Sequence, residues 1–375
     1  MINRPLKILI VSDPYYPYPS GISEYTFYLA KYLKKHNNDI KILTTHYKNE
    51  EKEDDVLRFG KVLLIPMNKS YATMAFGFEI PSKVKNLLYN NDFDIVHLNG
   101  PFFPSLSFFA LHYSKTTNIA AFLNAGFKFY NYGSKVFRKV YKKYLDKIDG
   151  YFAISETAKL AMQPYFPGDY EIIPAGVDIE FFKKDGDKFD IEGYPKILFL
   201  GRLDERKGVL KIINVFSKFL KVKKDAKLII AGKGPLDTVA RKLVKDLNIE
   251  DRVLFTGYVK KDDIPKYYRT ADIYCSPALG GESFGIVLLE AMACNTPVIA
   301  SSIHGYSQVI ENFKNGILFD PLSDDDLVSK LILLSDDEKL RESLKINGEK
   351  RALEYSWENV SFKIEEFYRK VLSKS

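Results

Sequence analysis

Cysteine is almost missing: Cys275 and Cys294 are the only two in 375 residues, and both sit in apolar, core-like segments. A disulfide framework and a thiol-rich metal centre are thereby excluded, and two buried reduced thiols are predicted. No apolar run approaches the roughly 18 residues that a membrane-spanning helix needs. Low-complexity tracts are also lacking, and 46% hydrophobic with 27% charged residues describes a globular chain. Charge of one sign is scarce. The net +7 divides into 22 basic against 18 acidic residues over 1–182 and +3 beyond. Neither half is strongly basic and no nucleic-acid-binding motif accompanies the charge, so nucleic acid is not an expected partner. Met1-Ile2-Asn3-Arg4-Pro5 runs at once into the strand-like Lys7 to Val11, which predicts no signal peptide and a cytoplasmic protein.

A chain of this length exceeds what one core usually holds, so two domains of about 180 residues are expected. Short β-branched runs alternate with amphipathic segments, the pattern of a parallel sheet wrapped by helices. In the first half the predicted strands are 8–12, 40–44, 62–65, 95–98, 119–123, 151–154 and 171–173, with a helix over Glu24 to Lys35. The second half gives 197–200, 228–231, 253–256, 273–276, 298–300 and 316–318. Between the halves Val177 to Tyr194 is charged and aperiodic, and reads as a hinge.

The segment Gly281-Glu282-Ser283-Phe284-Gly285-Ile286-Val287-Leu288-Leu289-Glu290-Ala291 places two carboxylates eight positions apart around an aromatic-glycine turn. Gly285 is the expected helix start. Glu290 lies inside that helix among apolar residues, where an ionised group is costly unless something polar meets it. Amides at a helix start suit an anion, so phosphate oxygens could sit near Phe284 and Gly285 with a carboxylate on either side. The plain alternative is a solvated Glu282 and a Glu290 paired with a Lys or Arg.

The stretch Gly280 to Ser302, with its two glutamates, Ala291-Met292-Ala293 and Thr296-Pro297-Val298-Ile299-Ala300-Ser301, resembles the signature of the retaining glycosyltransferases of family 4. Three further segments resemble family segments in the same order: Gly201-Arg202-Leu203-Asp204-Glu205-Arg206-Lys207-Gly208, Ala231-Gly232-Lys233-Gly234-Pro235 and Ile173-Pro174-Ala175-Gly176-Val177-Asp178. The resemblance covers essentially the whole chain, most strongly from Ala153 to Asp320. It implies a GT-B fold: an α/β architecture of two Rossmann-like domains whose parallel sheets face an interdomain cleft. The domains would be 1–180 on the acceptor side and 181–355 on the nucleotide-sugar side, with 356–375 a terminal helix that crosses back to the first domain. A simple capping helix of the second domain fits the sequence as well.

Transfer from a nucleoside-diphosphate sugar must neutralise a departing diphosphate, and Arg202 and Lys207 follow the strand 197–200 at its carboxyl end, where ligands of open parallel sheets bind. Position by position they match the family's diphosphate-binding Arg and Lys; Arg206 beside them is ambiguous. The resemblance gives Glu290 the ribose hydroxyls, Glu282 the transferred sugar and reacting centre, and the backbone of Phe284 and Gly285 the phosphate. Gly232 and Gly234 suit a wall of the nucleotide site, although glycine pairs more often serve turns. Gly21, in Pro19-Ser20-Gly21-Ile22, corresponds to a loop that closes over the donor; a helix-initiating turn capped by Ser23 or Glu24 is the ordinary alternative. The tyrosine- and proline-rich run 14–19 is a plausible acceptor-side surface. Asn124 stands where the family commonly has His, and it cannot act as a base near neutrality. His97 reads as structural.

The resemblance further implies a metal-independent enzyme with no cofactor beyond a UDP- or GDP-sugar substrate. The acidic runs 50–55 and 324–326 read as solvated or helix-start charge. Residues 128–147 hold seven Lys or Arg and one acidic residue. Lys135, Arg138, Lys139, Lys142 and Lys143 fall on one helical face and Phe137, Val140, Tyr141, Tyr144 and Ile148 on the other. Such a basic amphipathic helix can rest on anionic lipid headgroups, on the inner face of the cell membrane, although every outer helix of a layered fold has an apolar face. The expected activity is transfer of a hexose, with retention, to a lipid-linked or glycan acceptor at a membrane surface. Alternatives are a GT-B enzyme with a soluble acceptor, or a non-catalytic nucleotide-sugar-binding protein.

Overall fold

The computed structural model describes residues 4–18, 20–67, 70–123, 139 and 141–374, without the side chains of 65–67 and 70–72. The chain divides into two compact units, one of Met1–Gly176 with Trp357–Ser375 and one of Val177–Ser356.

In the first unit the strands are β1 (Lys7–Val11), β2 (Asp39–His46), β3 (Val56–Met67), β4 (Ser70–Phe76), β5 (Ile95–Asn99), β6 (Thr117–Phe122), β7 (Gly150–Ala153) and β8 (Tyr170–Ile172). They form one sheet in the order β4-β3-β2-β1-β5-β6-β7-β8, parallel except for the antiparallel β3–β4 pair at its edge. The expected strand at 62–65 is thus one arm of a longer hairpin, and β4 is an element the sequence reading missed. Its residues Ser70-Tyr71-Ala72-Thr73-Met74-Ala75-Phe76 lack a clean alternation, which an edge strand tolerates, and Pro66 in the facing arm argues against a strand interior but falls beyond Lys61, where β3 pairs with β4 and not with β2. Helices α1 (Gly21–Lys35), α2 (Ile80–Tyr89), α3 (Leu106–Tyr113) and α4 (Glu156–Met162) follow strands of this sheet.

The second unit is a six-stranded, all-parallel sheet in the order β11-β10-β9-β12-β13-β14, with β9 Lys196–Leu200, β10 Lys227–Ala231, β11 Val253–Gly257, β12 Ile273–Ser276, β13 Val298–Ser301 and β14 Ile317–Phe319. Alternate residues of these strands enter different cores. Ile197, Phe199, Leu228, Ile230, Ile273 and Cys275 join one apolar layer, while Leu198, Ile229, Tyr274, Val298 and Ala300 join the layer on the other face. Both cysteines are free and buried. The helices are α5 (Val209–Phe219), α6 (Asp237–Asp246), α7 (Ile264–Thr270), α8 (Ile286–Ala293), α9 (His304–Ser307), α10 (Asp324–Asp336) and α11 (Glu338–Glu354).

The final helix, α12 (Trp357–Leu372), belongs to the first unit. Trp357 packs on Tyr25 and Tyr28 of α1, with ring centroids 5.2 and 5.8 Å away, and Glu365 bonds His36 and Asn38. The stretch Val177 to Tyr194, read as a hinge, lies in the second unit, where Val177 bridges to Ser356 and Phe182 is buried.

Strand order reverses between β9 and β12 in the second unit and between β1 and β5 in the first. Crevices of open parallel sheets form at such switch points, outside the carboxyl ends of the strands.

Candidate functional site

At the switch point of the second sheet, the loops that leave β9 and β12 are laced together. Leu279 donates its amide to the Arg206 carbonyl at 2.8 Å, and Asp204 accepts the amide of Lys207 at 2.9 Å. Gly208, with φ +76° at the start of α5, sits where a Cβ would come 2.1 Å from the Pro277 carbonyl oxygen. Only glycine satisfies both the left-handed backbone and that approach. This lacing carries two cations of one loop to a carboxylate of the other. Lys207 Nζ lies 2.8 Å and Arg206 Nη1 2.5 Å from Glu282 Oε1, and Arg206 also donates to the Gly281 carbonyl at 3.2 Å. Arg206, left ambiguous by the sequence, is part of this cluster. Arg202 is not: among the described residues its one ion pair is with Asp204, at 3.9 Å, and it is half exposed.

Beyond Glu282 the chain enters α8 through Gly285, whose φ of +103° makes it a left-handed cap. Among the described residues no side chain caps this helix, and with the Leu288 amide bonded to the Gly285 carbonyl at 2.9 Å, the amides of Ile286 and Val287 ahead of it are the ones available to an acceptor from outside. Phe284 is buried against Tyr355, so only its backbone can meet a ligand. Tyr306, invisible in the sequence reading, supports this turn from beneath. A Cβ on Gly285 would come within 2.7 Å of the Tyr306 ring, whose hydroxyl pairs with Ser276 at 2.7 Å. Burial, reinforced by the negative charge of Glu282, raises the Tyr306 phenol far above its ordinary pKa.

Glu290, half-buried on α8, takes a hydrogen bond from the Tyr268 hydroxyl at 3.0 Å. Tyr268 is fully buried on α7, and burial with the adjacent Glu290 charge raises its pKa, keeping it a donor. Gly232 and Gly234 are explained by packing: a Cβ would stand 1.9 Å from the Gly201 oxygen at the first and 2.4 Å from the Leu203 oxygen at the second. They bring the loop after β10 against the loop that carries Arg202 and Lys207.

In the first unit Gly21 opens α1, and the cap is Ser20, whose Oγ accepts from the Ser23 amide at 3.0 Å, rather than Ser23 or Glu24. A Cβ on Gly21 would meet nothing within 4 Å and its φ lies outside the left-handed region, so the chain's own packing does not demand glycine there. Of the aromatic loop before it, Tyr15 is core, Tyr16 bonds Glu24 and Tyr18 stacks on Tyr47.

Asp13, missed in the sequence, is buried beside this loop and accepts the amides of Ala75 and Leu106. Burial lifts its pKa to about 6 against those donors. A buried polar chain runs beneath it. The Tyr368 hydroxyl donates to His97 Nδ1 (2.6 Å), His97 Nε2 to Asn99 Oδ1 (2.9 Å), and Asn99 Nδ2 to Thr26 Oγ1 (3.0 Å). Burial holds His97 neutral, with its pKa lowered to about 4. His97 is therefore structural, tying α12 through β5 to α1.

Asn124, Lys135 and Arg138 lie outside the described residues, as do Phe137 and Val140. Lys139, Lys142 and Lys143 are exposed, while Tyr141 and Tyr144 pack on Phe108 of α3 with centroids 5.7 and 4.8 Å away.

Two family models match the chain: glycosyltransferase family 4 over residues 19–181, and glycosyl transferases group 1 over 181–351. A phosphatidyl-myo-inositol mannosyltransferase of Mycolicibacterium smegmatis is 33% identical over 372 residues, 98% of this chain and 94% of the relative. The chain belongs to glycosyltransferase family 4. A relative of the same description from Mycobacterium tuberculosis is 31% identical over 98% of this chain and 97% of its own length. Among solved structures, a glycosyltransferase from Rickettsia africae superposes with a TM-score of 0.78 at 20% identity, covering 99% of this chain and 100% of that one. Anabaena Alr3699/HepE in complex with UDP gives 0.77 at 16%, covering 97% and 100%. The two parallel-sheet units of this glycosyltransferase are those of the GT-B fold.

Proposed function

We propose that this family 4 glycosyltransferase moves a hexose from a nucleoside-diphosphate sugar to a hydroxyl of a lipid-linked acceptor, with retention of anomeric configuration and without a metal. The observation that carries the reading is the Arg206–Lys207–Glu282 cluster at the switch point of the second sheet, next to the uncapped start of α8. A diphosphate arriving there competes with Glu282 for Lys207. It gains two kinds of partner, the ammonium with Arg202 nearby in sequence, and the first amides of α8. Glu282, released from Lys207, turns to the hydroxyls of the transferred sugar. Glu290, held by Tyr268, takes the ribose hydroxyls.

In the reaction the bond from the anomeric carbon to the diphosphate oxygen breaks, and the bond to the acceptor oxygen forms on the same face. The acceptor proton passes to the departing phosphate oxygen, so no protein base is required and Asn124 in place of the usual His does not forbid catalysis. Stabilising the charge that grows on the diphosphate is the protein's main task, and preorganised cations and amides do this at no reorganisation cost.

The acceptor class rests on the relatives, whose names give phosphatidyl-myo-inositol as what they act on. No helix among the described residues is long and apolar enough to cross a membrane. Contact with a bilayer on the cytoplasmic face would then be peripheral, through the exposed Lys139, Lys142 and Lys143 together with Lys135 and Arg138. The experiment is incubation with UDP- and GDP-hexoses and vesicles containing phosphatidylinositol, with mass spectrometry of the lipid and proton NMR of the product. Addition of one hexose with the donor's configuration is expected; transfer with inversion, or transfer to water-soluble acceptors alone, would contradict the proposal.

A further inference from the structure

We propose that the amino edge of the second sheet carries a further anion site, apart from the donor loops, for a small solute bearing two or more phosphate groups. A cavity of about 360 Å³ opens there, lined by six cationic side chains and two carboxylates, all in the second unit. Its place in the fold is set by three strand starts: Lys196 is the first residue of β9, Asp272 directly precedes β12, and Asn295 lies in the turn before β13. The loops with Arg202, Lys207 and Glu282 leave the same strands at their carboxyl ends, so the two sites occupy opposite edges of one sheet.

Charge, counted pair by pair, does not cancel. Lys184, Lys196 and Lys345 are neutralised by Glu349, Asp272 and Glu342 at 2.9, 3.2 and 2.7 Å. The two guanidiniums are different. Arg269 donates to the carbonyls of Asp187 and Lys183, and Arg341 to those of Leu334 and Ser335. Neither has a carboxylate within 4 Å among the described residues, so backbone oxygens fix them in place without cancelling their charge. Lys188 likewise has no ion pair among the described residues. Against these three cations the lining sets Asp190, which has no ion pair among the described residues, leaving an excess of about two positive charges.

Planar guanidiniums held in place by the backbone lose little freedom on binding, and their forked donors match phosphate oxygens. The volume falls at the small end of ligand pockets, about 300–1,000 Å³, which suits a compact solute and not a polymer or a membrane. The excess of charge calls for a multivalent anion.

The test is calorimetric titration of the full chain with tripolyphosphate. Two classes of site are expected, since the probe also fits the donor loops. Lys207→Ala should remove one class and leave the other, and Lys188→Glu should weaken the remaining class at least fivefold without moving Tm. Lys188 is exposed and makes no hydrogen bond among the described residues, so folding is not at stake; Lys345→Glu should act in the same direction. Higher salt should weaken both classes. A single class abolished by Lys207→Ala, a Lys188→Glu isotherm identical to wild type, or no saturable binding would overturn the proposal.

Discussion

Lys207 Nζ and Glu282 Oε1 stand 2.8 Å apart although they leave different strands, because the loops after β9 and β12 share a backbone hydrogen bond and a glycine contact. A charged hydrogen bond of this kind contributes about 1.5–3 kcal/mol, and the same ammonium would give a comparable amount to a bound diphosphate. Lys207→Ala should therefore lower kcat/KM by about 10- to 100-fold while circular dichroism and Tm stay near wild type. Glu282→Gln should lower kcat more than it raises the donor KM. Steady-state kinetics on both variants would decide, and unaltered turnover in either would remove that residue from the mechanism.

Tyr268 is one of the partners that orient Glu290. Tyr268→Phe keeps the ring and deletes the hydroxyl 3.0 Å from Oε2, so the donor KM should rise several-fold with kcat little changed, at a cost of about 1 kcal/mol. An equal fall in kcat at constant KM would instead place Tyr268 in the chemical step.

Two glycines make opposite predictions. Gly208→Ala forces a side chain into the Pro277 carbonyl at a left-handed φ, and should lower both stability and activity sharply. Gly21→Ala places a methyl in open space at the start of α1 and should leave urea unfolding unchanged. If donor or sugar comes close there, its KM rises even so. An active, unperturbed Gly21→Ala enzyme would show that no ligand needs that space.

Buried Asp13 and His97 should pull stability in opposite directions with pH. The folded pKa of Asp13 is raised from 3.8 to about 6, so the folded state holds its proton more tightly, and this contribution is lost as pH rises from about 4 to 6. His97 is lowered from 6.5 to about 4, so its contribution is present above pH 6.5 and lost as pH falls towards 4. Relative to wild type, Asp13→Asn should gain stability between pH 4 and 7, and His97→Gln should be most destabilising at pH 7. Each change should be on the order of 3 kcal/mol across its window. Urea midpoints at half-unit pH steps check both; parallel curves would mean that neither group titrates in the folded protein.

Much of this fold can be read from the chain, because a parallel strand buried on both faces is a short apolar run that little else imitates. Lys196-Ile197-Leu198-Phe199-Leu200 and Val298-Ile299-Ala300-Ser301 are such runs. The β4 hairpin was missed because the edge strand β4 tolerates mixed polarity, and Pro66 lies in the part of β3 beyond Lys61 that pairs with β4 and not with β2. Within the site, sequence spacing singled out Glu282 and Glu290 but could not say who meets them. Arg206, Tyr268 and Tyr306 reach those glutamates or their turn from other elements, and nothing in their own neighbourhoods distinguishes them from surface or core residues. Asp13 was hidden for the same reason: its partners, the amides of Ala75 and Leu106, are backbone groups that have no sequence signature.

Nucleotide affinity tests the centre of the account most directly. Calorimetric titration with UDP and GDP should give saturable binding of one of them to the wild-type chain, weakened at least tenfold by Lys207→Ala with Tm preserved. Equal affinity in the two proteins would place the diphosphate elsewhere and contradict the assignment of the loops after β9 and β12.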